Sequence, residues 1–138
     1  MLADLRYQIR KFLRVRETAA RRAGVAPQQY LVLLQLRGLD GRVVPTVGTL
    51  AERLQLQHHS TVELVDRLEA RGMVKRRQER AGRRVLVEIT PQGERVLRTL
   101  AEYSVDELQR AGPELLRTLT RLIRGAGKSA PPSAGRSR

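Results

Sequence analysis

The chain has 138 residues and a formal charge of +13, from 27 Lys and Arg against 14 Asp and Glu. That length suits one domain with a real core, and the surplus favours a polyanionic partner, nucleic acid first and an anionic membrane second. Having no Cys excludes a disulfide framework, cysteine zinc sites and thiol redox sensing, and one Phe, three Tyr and no Trp leave no platform for stacking RNA or single-stranded bases. Duplex DNA therefore ranks above RNA. Of the cations 24 are Arg, whose planar fork grips phosphates or guanine edges at two points, although high genomic GC content would also enrich Arg. No apolar run approaches the roughly 18 residues of a membrane span, and charges interrupt the N-terminal stretch where a signal peptide needs an apolar core. A cytoplasmic protein is expected.

Leu2, Leu5, Ile9 and Phe12 recur at helical spacing between Arg6, Arg10, Lys11 and Arg14, which predicts a basic amphipathic helix ending before Gly24. Pro27 suits the first turn of a second helix, whose run from Tyr30 to Leu34 is apolar on nearly every side before Gly38. After the turn-like Asp40-Gly41, Arg42 to Val44 is expected as a small strand, and Thr46 as the N-cap of a third helix carrying Val47, Leu50, Ala51 and Leu54. Gln55 to Gln57 connect it to a fourth helix from about His58, with Val62, Val65 and Leu68 on its inner side and Gly72 as its stop.

Met73 to Gln78 and Arg84 to Ile89 read as two strands around a tip containing Ala81-Gly82, with Val85, Val87 and Ile89 pointing inward. Thr90-Pro91 opens a fifth helix, which Gly112-Pro113 is expected to break before a sixth carrying Leu115, Leu116, Leu119, Leu122 and Ile123. From Gly125 the composition turns to Gly, Ala, Ser, Pro and Arg, a tail predicted to be disordered.

Two short helices over about 46–54 and 58–71 have the spacing of a helix-turn-helix, in which the second enters the major groove. The hairpin that follows holds Arg71, Lys75, Arg76, Arg77, Arg80, Arg83 and Arg84 against Glu79 alone over residues 71–84. Beside a recognition helix such a hairpin is a wing able to grip phosphates or the minor groove; the alternative is a solvated charged loop.

Three stretches, TLAERLQL from Thr49, LVDRLEARG from Leu64 and RRVLVEITPQG from Arg83, resemble the MarR family (multiple antibiotic resistance regulators) of winged helix-turn-helix repressors. The likeness runs from about Pro27 to Leu100 and includes the family's Ile89-Thr90 pair with Gly93 three residues on. It implies a mainly α fold with a small β-hairpin: an N-terminal dimerisation helix over 1–24, a winged helix-turn-helix over 25–92, C-terminal dimerisation helices over 93–124 and a basic tail over 125–138. By the same resemblance His59, Ser60, Thr61 and Glu63 face the major groove, Arg83 is the wing arginine with Arg80 and Arg84 beside it, and Asp66 anchors Arg76 or Arg77. The family's Asp two residues before the wing arginine is Ala81 here, followed by Gly82, which removes a charge pair that orients the wing. Relatives often release DNA when an aromatic or phenolic acid binds between dimerisation helices and winged domain, and Arg14, Arg16 or Tyr30 would border that cleft.

Several of these residues have a second reading. Glu63 can accept from a cytosine amino group or pair with Arg67 one turn on, and Asp66 can be an ordinary surface carboxylate. His58-His59 raises a metal or pH-switch reading, but adjacent histidines diverge by about 100° on a helix, which favours DNA contact or helix-end polarity. The leucine stripes of the terminal helices fit a core within one chain or packing against a second copy. The expectation is a homodimeric, sequence-specific repressor on a pseudo-palindromic operator, needing no cofactor or metal. The alternative is a sequence-tolerant, nucleoid-associated architectural protein. An enzyme is disfavoured, because phosphate-binding Gly loops, nucleophile pairs and metal-ligand spacings are missing from the sequence.

Overall fold

The structure, a computed structural model, describes residues 1–128. In chain order its elements are α1 (Leu2–Arg22), α2 (Pro27–Gly38), α3 (Val47–Leu54), α4 (His58–Ala70), β1 (Val74–Gln78), β2 (Val85–Ile89) and α5 (Pro91–Lys128). The described residues form two compact units, one of residues Arg16–Tyr103 and one of Met1–Val15 with residues 104–128.

The larger unit is built around α2, which buries Tyr30, Val32 and Leu33 against Leu50 of α3, Leu64, Val65 and Leu68 of α4, and Val74 and Val87 of the hairpin. Leu33, Leu50 and Leu68 are fully buried, each contributing about 1.5–3 kcal/mol. Thr46 caps α3 as its sequence suggests, its hydroxyl accepting from the Thr49 N–H at 3.1 Å. Gln55 then turns the chain in the left-handed region (φ 56°), and the Leu56 N–H returns to the Ala51 carbonyl at 3.0 Å, which leaves only Gln55 to Gln57 between α3 and α4. Gly72 (φ +72°) ends α4, and the Met73 N–H reaches back to the Leu68 carbonyl at 2.9 Å, directing β1 away from the helix.

The strands pair antiparallel from Val74↔Ile89 to Gln78↔Val85. Arg42 to Val44 form a turn and bend instead of the expected strand. Pro45 has no N–H to continue a ladder, and its carbonyl alone accepts from the Val87 N–H at 2.8 Å. The inner face of α4 is Thr61, Leu64, Val65 and Leu68, with Val62 only half-buried. Val85 is 41% exposed, because it stands on the wing beyond the edge of the core.

Thr90 secures the start of α5. Its N–H donates to the Met73 carbonyl at 3.0 Å, its hydroxyl donates to the Gly72 carbonyl at 2.5 Å, and that hydroxyl accepts from the Gly93 N–H at 3.2 Å. A Cβ at Gly93 would stand 2.2 Å from the Met73 carbonyl oxygen, so glycine is what permits this close approach. The Thr-x-x-Gly spacing thus joins the helix start to the hairpin base.

In the smaller unit, the Gln8 amide donates to Thr118 Oγ1 at 2.8 Å, and Glu107 is buried and paired with Arg110. Leu2, Ile9 and Leu13 of α1, and Leu108, Leu116, Leu119 and Ile123 of α5, remain exposed. The expected break at Gly112-Pro113 is absent, since α5 runs through Pro113. Proline removes one backbone bond, but the flanking residues keep their helical period, and Gly112 has no Cβ to collide with the proline ring. Helix α5 continues to Lys128, past the Gly125 at which a disordered tail was expected to begin; the rest of that expected tail lies outside the described residues. No described helix is long and apolar enough to cross a membrane.

Candidate nucleic-acid interface

Helix α4 projects His58, His59, Glu63, Asp66 and Arg67 as exposed side chains, with Ser60 half-buried at its first turn. Thr61 does not belong with them. It is fully buried and its hydroxyl donates to the Gln57 carbonyl at 3.0 Å, because position 61 falls on the core stripe shared with Leu64, Val65 and Leu68. Glu63 forms no ion pair with Arg67 among the described residues, so its carboxylate stays open to solvent.

Arg76 ties α4 to β1. Its guanidinium donates to Asp66 Oδ1 at 2.6 Å and to Glu69 Oε1 at 2.9 Å, while its backbone N–H donates to Glu69 Oε2 at 3.0 Å. Arg77, the other expected partner of Asp66, lies on the opposite strand face and donates instead to Glu88, which Lys75 also approaches at 3.8 Å. Glu69 and Glu88 were not singled out from sequence, although Glu88 sits directly opposite Lys75 in the register.

At the wing, Glu79 receives two hydrogen bonds from Arg84, from Nε at 3.0 Å and Nη2 at 2.8 Å. The Arg84 hydrogen bond holds the Glu79 carboxyl below its ordinary range, and the Glu79 hydrogen bond in turn raises the Arg84 guanidinium. Where the family resemblance implies a charge pair at position 81, this chain has Ala81 and carries a pair across the neck of the wing. Counted this way, Lys75, Arg76, Arg77 and Arg84 all have carboxylate partners, whereas Arg80 and Arg83 at the exposed tip have none among the described residues. Two unneutralised cations thus project from the end of the hairpin that follows α4.

Of the residues expected to border an effector cleft, the Arg16 guanidinium lies over the Tyr30 ring, 5.5 Å from its centroid. Tyr30 is only 3% exposed, so its ring serves as packing surface here. Arg14 is placed in the smaller unit. No group of three or more potential metal ligands occurs among the described residues.

Residues 23–84 match the model of the MarR family. Among solved structures, the chain is similar to MepR, a transcription regulator of the Staphylococcus aureus multidrug efflux pump MepA, at 16% identity and a TM-score of 0.74, covering 88% of this chain and 94% of that one. It is similar to AbsC, a MarR family transcriptional regulator from Streptomyces coelicolor, at 20% identity and a TM-score of 0.71, covering 86% and 82%. CouR from Rhodococcus jostii RHA1, bound to p-coumaroyl-CoA, is similar at 22% identity and a TM-score of 0.66, again covering 86% and 82%. No curated protein sequence gives a match. Residues 23–84 thus carry the match to the MarR family model, and the described residues have the winged-helix fold of the solved MarR regulators they resemble.

Proposed function

We propose that the protein is a sequence-specific, double-stranded-DNA-binding transcriptional repressor that acts in the cytoplasm as a homodimer on a pseudo-palindromic operator. The observation that carries this reading is the pairing of a polar helix face (exposed His59 and Glu63 with half-buried Ser60) with a wing whose tip cations Arg80 and Arg83 have no carboxylate partner among the described residues. Helix α4 enters the major groove, where the side chains of its first turns meet base edges, and the wing holds phosphates or the adjacent minor groove. Affinity then comes largely from counterions released by Arg and Lys, and specificity from α4.

The dimer is supported by the apolar side chains left uncovered in the smaller unit. Leu108, Leu116, Leu119 and Ile123 recur at helical spacing on α5, each 41–65% exposed in a single chain, and a second copy would bury them. In a two-fold dimer the paired recognition helices reach successive major grooves about 34 Å apart. The fold likeness to a regulator crystallised with p-coumaroyl-CoA supports release by an aromatic acid or its thioester, with Arg14, Arg16 and Tyr30 as the residues to test. Calorimetry against a panel of such ligands checks this arm: no heat and no change in DNA affinity would remove it.

Selection of bound fragments from genomic DNA at physiological salt tests the main reading, followed by the affinity ratio between a selected fragment and random duplex. A ratio of about a thousandfold or more is expected of a regulator. A ratio near one would replace it with a sequence-tolerant coating role.

A further inference from the structure

The wing is clipped at its neck from three directions. Beyond the last ladder pair, Gln78↔Val85, the Glu79 N–H donates to the Arg84 carbonyl at 3.0 Å, and the Glu79 carboxylate takes both prongs of Arg84. The Gln78 amide also donates to the Gly82 carbonyl, at 3.3 Å. Gly82 passes so close to the clip that a Cβ there would stand 2.2 Å from Glu79 Oε2. Four residues, 80–83, are therefore held in one loop, with Arg80 and Arg83 outside the clip and Arg84 inside it.

Charge alone gives no reason for Glu79. It is the single anion among seven cations in residues 71–84, it repels the phosphates the wing would meet, and it occupies a guanidinium that could otherwise bind one. We propose that Glu79 is the positioning residue of the wing: it locks Arg84 as a strut so that Arg80 and Arg83, and not Arg84, are the cations the wing gives to DNA. The proposal rests on the DNA-binding reading above and adds a division of labour that sequence charge does not contain. The Arg84 hydrogen bond holds the Glu79 carboxyl below its ordinary range, so the anion that the clip needs is present at neutral pH.

The two effects of Glu79 have opposite signs, which makes the test decisive. Removing an anion near phosphates tightens binding; releasing a positioned loop weakens it. Fluorescence anisotropy of the full-length protein on a labelled, genomically selected duplex, across about 50–200 mM salt, reads both affinity and salt slope. Glu79→Gln is expected to weaken binding about fivefold, with a slope no lower than that of wild type. Gly82→Ala, which alters no charge but pushes the Glu79 carboxylate aside, should do the same. The exchange Glu79→Arg with Arg84→Glu should recover affinity to within about twofold of wild type, whereas Arg80→Gln and Arg83→Gln should each lower the slope by about 1.

Unchanged or tighter binding by Glu79→Gln would overturn the proposal. So would an Arg84→Gln slope lower by about 1 that the exchange does not restore, since Arg84 would then be a DNA contact itself. If Arg80→Gln and Arg83→Gln both leave the slope untouched while wild type still binds, the wing is not the DNA grip and the reading beneath the proposal fails with it. Circular dichroism and urea midpoints matching wild type separate all of these from misfolding.

Discussion

Replacing Gly93 with Ala probes the joint on which the wing and α5 depend. The added Cβ would lie 2.2 Å from the Met73 carbonyl oxygen, 2.8 Å from Ile89 Cγ1 and 3.1 Å from the Met73 carbonyl carbon. Ordinary contact begins at 3.4 Å, so the helix start must retreat by about 1.2 Å from a backbone carbonyl that cannot rotate away as a side chain could. Overpacking of this kind costs about 1–3 kcal/mol. The same retreat stretches the Thr90 N–H bond to Met73 and the Thr90 hydroxyl bond to Gly72, each worth about 1 kcal/mol. Alanine's better helix propensity returns about 1 kcal/mol, leaving a net loss of about 2–4 kcal/mol and a fall in Tm of roughly 10 °C. Urea unfolding at one fixed protein concentration measures it, because the proposed self-association would make apparent stability concentration-dependent. Gly125→Ala is the control: a Cβ there meets open space on a helix, and the change should be neutral or stabilising by up to about 1 kcal/mol. A Gly93→Ala protein within about 0.5 kcal/mol of wild type would refute the close-approach argument.

Gly72→Ala places a Cβ in the left-handed region at φ +72° and should cost about 1–2 kcal/mol in the same urea assay; no loss would mean that the turn after α4 relaxes freely. Leu119→Arg puts a charge on the uncovered stripe of α5 and should shift the protein from dimer to monomer in sedimentation equilibrium, with weaker operator binding following from it; an unshifted dimer would place the interface elsewhere. For Glu79, a carboxyl held below its ordinary range in the folded wing contributes order that is complete above the unfolded value and is lost as pH falls through the folded one. An NMR titration of its side-chain carbon should therefore have a midpoint below that of free glutamate, and a midpoint at or above it would mean that the Arg84 clip is open in solution.

The helix-turn-helix and its wing were legible because local signals agree there. Thr46 is a cap, Gly72 a stop, and Val87 and Ile89 alternate against a basic strand, each predicting the element that forms. Where the reading failed, a neighbour outweighed the local signal. Pro113 breaks helices in isolation, but one missing bond does not end a 38-residue helix whose period continues on both sides. Thr61 looked polar enough for the groove, yet one step of helical phase sets it on the core side. The strand at Arg42 to Val44 gave way to Pro45, which cannot donate to a ladder.

The candidate site was legible as a region more than as a set of roles. Arg80, Arg83 and Arg84 are equivalent in a charge map, and only strand register distinguishes them. Pairing Gln78 with Val85 puts Glu79 opposite Arg84, so the neck of the hairpin neutralises one arginine and leaves two. That register was the available signal, and it could have identified the clip in advance. Asp66 was expected to bind Arg76 or Arg77; alternation along β1 decides for Arg76, and Glu69 joins it because it lies one helical turn further along α4.

Hydroxyl-radical footprinting of the full-length protein on a genomically selected fragment tests most directly that α4 and the wing read duplex DNA as a two-fold pair. Two protected stretches of matching sequence should appear, related by a dyad, with centres about 10–10.5 base pairs apart or a whole multiple of that. Arg83→Gln should weaken the protection that flanks each stretch. Uniform protection that spreads along any duplex with rising protein, showing no dyad and no preferred sequence, would contradict the claim.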